Sequence, residues 1–148
     1  MDALFSGGVG AKALPSDKDV YVDEPWLHMR WDRSHNCIIS VWKGFANSAE
    51  FRAALGKGLE AIRERHALAY VSDTRKIKVI VQEDQAWANE TLIPQMAAAG
   101  LKRLAMVTAD AGLGKVTVEE IVKMVDNKPL LMRSFDSMQV AMRWVRES

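Results

Sequence analysis

Between Val20 and Trp144 the chain switches repeatedly between two hydrophobic periods, and that alternation restricts its fold more than any other feature. Trp26–Asp32 has period two: Leu27, Met29 and Trp31 fall on one face, and His28, Arg30 and Asp32 on the other. Arg33-Ser-His-Asn36 reads as a turn and Cys37–Lys43 as a second β-rich run, so an antiparallel hairpin is expected. The period then lengthens. Asn47 and Glu50 have the spacing of a capping box, and Phe51, Leu55, Leu59 and Ile62 recur at helical intervals, which predicts an amphipathic helix over 48–66.

The same reading continues to the C-terminal end. Ala69–Asp73 is a short buried strand, Ile77–Val81 a loop or another short strand, and Glu83–Ala99 a helix that Pro94 must interrupt and Gly100 must end. Lys102–Thr108 is the next strand. Thr117-Val-Glu-Glu120 resembles a capping box, predicting a helix that buries Ile121, Val122 and Val125 and closes at Asn127 and Pro129. Leu130–Phe135 is the last strand, and Asp136 is expected to cap a final helix with Ala141, Trp144 and Val145 facing inward.

Strands separated by helices call for parallel pairing through right-handed crossovers. The expected fold is therefore a single α/β domain over 19–148, with a mixed, mostly parallel sheet, an N-terminal antiparallel hairpin and about four helices. A chain of 148 residues buries roughly 68% of its unfolded surface, enough for one sizeable core. Residues 1–18 show no periodicity and include Gly7, Gly8, Gly10 and Pro15, so a flexible leader is expected there.

Charge and composition exclude several function classes. With 20 Lys+Arg against 19 Asp+Glu, the clustered excess of cations that drives nucleic-acid binding is missing. No apolar stretch approaches the 18 or so residues of a membrane span. The first residues lack a basic segment and a long apolar run for export, and the single Cys37 cannot form an internal disulfide, so a cytoplasmic protein is expected.

Catalytic signatures are sparse. His28, His35 and His66 have no metal-ligand spacing, and Cys37 lies in a β-rich run without a neighbouring cation, which suits an inert buried thiol. Gly56-Lys-Gly58-Leu-Glu-Ala61 matches a loose nucleotide-binding pattern but falls inside a helix, where the glycines better serve close packing on a sheet. The concentrated polar set is Asp73, Arg75, Glu83, Asp84 and Glu90, placed just after a strand, where α/β folds build their sites. As a recognition surface it would include Trp87; structurally, Asp73 would form a turn paired with Arg75, and Asp84 would cap a helix. Trp26 and Trp42 fall opposite Leu27 and Val41 on their strands. Trp42, Trp87 and Met96 could pack in the core or line an apolar pocket.

Trp42-Lys-Gly-Phe45, Glu50-Phe51, Ser72-Asp-Thr-Arg75, Gln82-Glu-Asp-Gln-Ala-Trp87, Gly100-Leu-Lys-Arg-Leu-Ala105 and Phe135-Asp-Ser137 together resemble the bacterial SpoIIAA-like, or STAS-like, small proteins. The resemblance spans about Val20 to Trp144 and lies in motif order. It implies a fold related to anti-sigma-factor antagonists, with kinship to the CRAL-TRIO lipid-binding fold. Those antagonists carry a phosphorylatable Ser at the start of a helix; here Gln82-Glu-Asp-Gln85 stands at that place, so the switch is not carried over. The expected function is a non-enzymatic module that binds a protein partner and self-associates as a homodimer, without a cofactor. The alternative is a carrier of a lipid or other apolar small molecule.

Overall fold

Among the described residues, seven strands join in one sheet, lying side by side in chain order except that the last is inserted before the sixth. The computed structural model describes residues 17–77, 80–109, 121–125 and 127–147; the expected leader, apart from its last two residues, and the Thr117–Glu120 box lie outside them. The strands are β1 (Val20–Glu24), β2 (Leu27–Asp32), β3 (Cys37–Trp42), β4 (Ala69–Asp73), β5 (Arg103–Val107), β6 (Ile121–Val125) and β7 (Lys128–Phe135). Pairing is parallel from β3 through β4 and β5 to β7, and antiparallel for β1 with β2, β2 with β3 and β6 with β7. The mixed, mostly parallel α/β sheet expected from the alternation is therefore present, with β2 and β6 running against the rest.

Helices cover the sheet unequally. α1 (Ser48–Arg65), α2 (Gln82–Trp87) and α3 (Ile93–Ala98) lie over one face, and α4 (Met138–Arg146) over the other. Strand alternation feeds both cores: Ile38, Trp42, Tyr70 and Leu104 enter the larger one, while Cys37, Ile39, Val71, Ala105 and Val107 enter the one beneath α4.

Local chemistry explains where α1 begins and how closely it packs. The Asn47 side chain accepts from the Glu50 N–H at 2.8 Å, and the Asn47 N–H donates back to Glu50 at 2.9 Å, which completes the capping box. Phe51, Leu55, Leu59 and Ile62 are all buried, as their spacing requires. Gly58 faces the Tyr70 ring, and a Cβ there would stand 2.9 Å from the Tyr70 hydroxyl. That hydroxyl cannot easily yield, because Tyr70 is 1% exposed and shares a 2.6 Å hydrogen bond with Ser40. Gly56 meets nothing within 4 Å.

The structure corrects four sequence expectations. Ile121–Val125 is an edge strand, not the buried side of a helix. Asn127, at φ 63°, belongs to a tight turn that brings Lys128 opposite Val125, so the Asn-Pro signal closes a hairpin instead of a helix. Pro129 is tolerated because β7 is paired with β5 only from Leu131 onward. The N-cap of α4 is Ser137 instead of Asp136; its side chain accepts from Val140 N–H, and Ala141, Trp144 and Val145 are buried as expected. Trp26 sits in the turn between β1 and β2, free of strand alternation, and stacks on Trp42 at 6.2 Å on the same side as Leu27.

The N-terminal strand-like run is two strands, making a three-stranded meander with β3. Its outer strand is fastened to the end of α1: Arg65 donates to the Lys18 carbonyl at 2.6 Å and the Tyr21 hydroxyl at 2.8 Å, and the Tyr21 hydroxyl donates to Glu64. Pro94 has its expected effect as a π-helical turn over Ala88–Leu92, where Ile93 N–H reaches back to the Ala88 carbonyl, and Gly100 follows with φ 106°.

The two glycines of α1 should respond oppositely to alanine. Gly56→Ala is expected to stabilise the fold by about 1 kcal/mol through helix propensity. Gly58→Ala should cost about 1–2 kcal/mol, because overpacking against Tyr70 outweighs the same gain. Chemical denaturation of both variants checks the pair; equal effects would refute the close seating of Gly58.

Candidate functional site

The C-terminal ends of β3 and β4 lead into the segments that start α1 and α2, and the polar residues singled out from sequence sort into two groups there. Asp73 ends β4 and is 5% exposed. Its Oδ1 accepts from the Arg75 backbone N–H at 3.2 Å and from Nε at 3.0 Å, and Oδ2 accepts from Nη2 at 2.8 Å. Thr74 fixes the same turn by donating its N–H and hydroxyl to the Val107 carbonyl at 2.8 and 2.9 Å. Burial pushes the Asp73 carboxyl up, but the Arg75 hydrogen bonds and charge outweigh it and hold the group below the usual carboxylate range.

Asp84 forms the second group with residues from α1. Its Oδ1 accepts from Ser48 Oγ at 2.7 Å and Arg52 Nε at 2.8 Å. The Arg52 guanidinium also lies 5.0 Å from the Trp87 ring centroid, so one cation is shared between a carboxylate and an indole face. Ser48 and Arg52 are one helical turn apart on α1, as Asp84 and Trp87 are on α2, which lets the two pairs clasp across the helix interface. The Arg52 hydrogen bond, then that from Ser48, lowers the Asp84 carboxyl's pKa. Asp84 thus turns toward α1 rather than capping α2, whose N-cap, Val81, has no side-chain bond.

Among the described residues no hydrogen bond or ion pair joins Asp73–Arg75 to Asp84–Arg52. Glu83 and Glu90 are exposed. Sequence reasoning missed Ser48 and Arg52, whose one-turn spacing was visible but whose partner on α2 was not. Phe45 and Val81, three residues before Ser48 and Asp84, are 61% and 48% exposed.

The residues considered for an apolar pocket share the larger core. Trp42 is buried between Trp26 and Phe51, with the Phe51 ring at 5.5 Å. Met96 is buried as well, and Trp87 is half-buried against the same cluster beneath Arg52.

Other reactive groups serve local structure. Burial pushes the Cys37 thiol up to about 12, with the Asp32 charge adding to the effect, so it stays protonated at neutral pH. His35 Nδ1 lies 2.9 Å from Asp32, which also accepts from the Ser34 hydroxyl at 2.8 Å; the three close the β2–β3 turn. His28 pairs with Asp23 at 3.5 Å, and His66 ends α1 in the left-handed conformation at φ 53°. Among the described residues no three His, Cys, Asp or Glu side chains are grouped to hold a metal ion, and no helix is long and apolar enough to cross a membrane.

Asp84→Asn should expose the sign of its ionic bond. Since the folded carboxyl is lowered, its stabilisation is present above the ordinary Asp value of roughly 3.9 and is lost as pH falls through the lower folded value. Denaturation midpoints of wild type and variant should therefore differ at neutral pH and converge in strong acid. Separately, Cys37 should resist an aromatic disulfide reagent until denaturant is added, and rapid labelling of the native chain would contradict its burial.

No protein-family model matches the chain, and no curated protein matches it. Among solved structures, it is similar to that of an uncharacterized protein of the DUF3478 family with a SpoIIAA-like fold from Shewanella loihica PV-4. The two share a TM-score of 0.53 and 11% sequence identity over 84% of this chain and 97% of the other. With its strand order and helix placement, that likeness shows the chain to be a SpoIIAA-like domain in fold.

Proposed function

We propose that this domain is a non-catalytic interaction module that presents the surface around the starts of α1 and α2 to a protein partner. The observation that carries the reading is the exposure of Phe45 and Val81 on segments leading into two helices clasped by Asp84, Ser48 and Arg52. Exposed apolar side chains on a pre-ordered framework bind at low entropic cost. The carboxylates beside them are held by arginines, which suits a fixed recognition surface better than proton transfer. Glu83, exposed next to Val81, adds a charge that a partner can read.

The resemblance to anti-sigma-factor antagonists supports the same surface, since Gln82–Gln85 stands at their switch position. Asp84 would not act there as a permanently displayed negative charge, because its carboxylate is spent on Arg52 and Ser48. Recognition would then rest on Phe45, Val81, Glu83 and the exposed part of Trp87, independent of phosphorylation. A carrier of apolar molecules ranks second because Trp42 and Met96 are already enclosed by protein side chains.

Phe45→Glu together with Val81→Glu tests this reading, because both positions are exposed and the fold should survive. Crosslinking and affinity capture from lysate should recover a specific partner with wild type, and the double variant should lose it by at least about thirtyfold, the scale of a binding hot spot. Undiminished capture by the folded variant would remove this surface from the function.

A further inference from the structure

We propose that a cleft between the end of β7 and α4 binds a small organic monocarboxylate with an apolar body, a site separate from the protein-recognition surface. The cleft has a volume of about 440 Å³. That lies within the roughly 300–1,000 Å³ of small-molecule sites. Phe135 and Trp144, with ring centroids 5.5 Å apart and tilted 48°, together with Val140, supply its apolar lining. Val140 is 41% exposed, so part of that lining is open to a ligand.

Two guanidiniums complete the chemistry. Arg133 enters from β7, and its Nε is sealed from solvent without a hydrogen-bond partner, while its Cζ lies 5.8 Å from the Phe135 ring centroid. A buried donor left unmatched is costly, and an acceptor seated beside this guanidinium supplies what the chain does not. Arg143 enters from α4, one turn after Val140 and next to Trp144. Among the described residues neither arginine has a carboxylate partner, in contrast to Arg52, Arg65 and Arg75.

The charge balance narrows the ligand. Asp136 and Glu147 also line the cleft, so the two cations are offset by two anions and no net positive charge is left to attract a polyanion. A singly charged, planar carboxylate matches the guanidinium edge, and its apolar body rests on Val140 and the exposed edges of Phe135 and Trp144, whose ring also packs against Arg103 at 4.9 Å. The shared requirement is therefore one carboxylate joined to an aromatic or branched aliphatic group.

The test uses the full chain and three probes: 3-phenylpropanoate, its methyl ester and inorganic phosphate. In proton–nitrogen NMR spectra, 3-phenylpropanoate should shift the Trp144 indole N–H and the Arg133 Nε–H saturably by about 10 mM, with the ester and phosphate markedly weaker. Arg143→Gln, at an exposed position, should keep the rest of the spectrum and weaken binding about tenfold or more, as expected for a lost charged hydrogen bond. The proposal is overturned by unsaturated or absent shifts at these two groups, by ester or phosphate binding as strongly as the carboxylate, or by unchanged affinity in the folded Arg143→Gln variant.

Discussion

The approach of α1 to the sheet over Gly58 is the contact on which the arrangement of this domain depends. Tyr70 fills the space beneath that glycine and hydrogen-bonds Ser40 on the neighbouring strand, joining helix, β4 and β3 in one packed unit. Burial pushes the Tyr70 hydroxyl up to about 12 despite the Ser40 bond, so the group remains a neutral donor or acceptor at any ordinary pH. A helix held further away would carry Ser48 and Arg52 with it. The geometry at the strand ends is in this sense set three turns down the helix.

From that seating follows the use made of the charged residues. Asp73 and Asp84, the two buried carboxylates near the strand ends, are each matched by an arginine, one from its own turn and one from a different helix. Leaving them without a partner would be unfavourable, so the pairing is a condition of the fold before it is a feature of any site. What remains for recognition is the material outside these pairs: Phe45, Val81, Glu83 and part of Trp87. The opposite face has a different composition, with Arg133 and Arg143 unmatched by carboxylates among the described residues and set beside an aromatic pair.

Much of the architecture was legible because periodicity and capping agree. The β2–β3 hairpin, α1 with its Asn47–Glu50 box, the buried β4 and β5 and the inward face of α4 all follow from residue spacing. The failure at Ile121–Val125 has a physical cause: five residues rich in β-branched side chains fit a strand, and a following Asn serves a hairpin turn as well as a helix end. At the candidate site, the Asp73–Arg75 pair was readable because both residues lie in one turn. The role of Asp84 was not, because its partners are 32 and 36 residues away in sequence and only the docking of α1 beside α2 brings them together.

Arg52 and Asp84 clasp α1 to α2, and this clasp orders the exposed segments before the two helices. A double-mutant cycle of Arg52→Ala and Asp84→Ala, read by chemical denaturation at neutral pH, tests it most directly. Strong coupling is expected, with the double variant about as stable as Asp84→Ala alone. Strictly additive losses would mean that the two side chains do not hold the helices together, and the clasp would have to be abandoned.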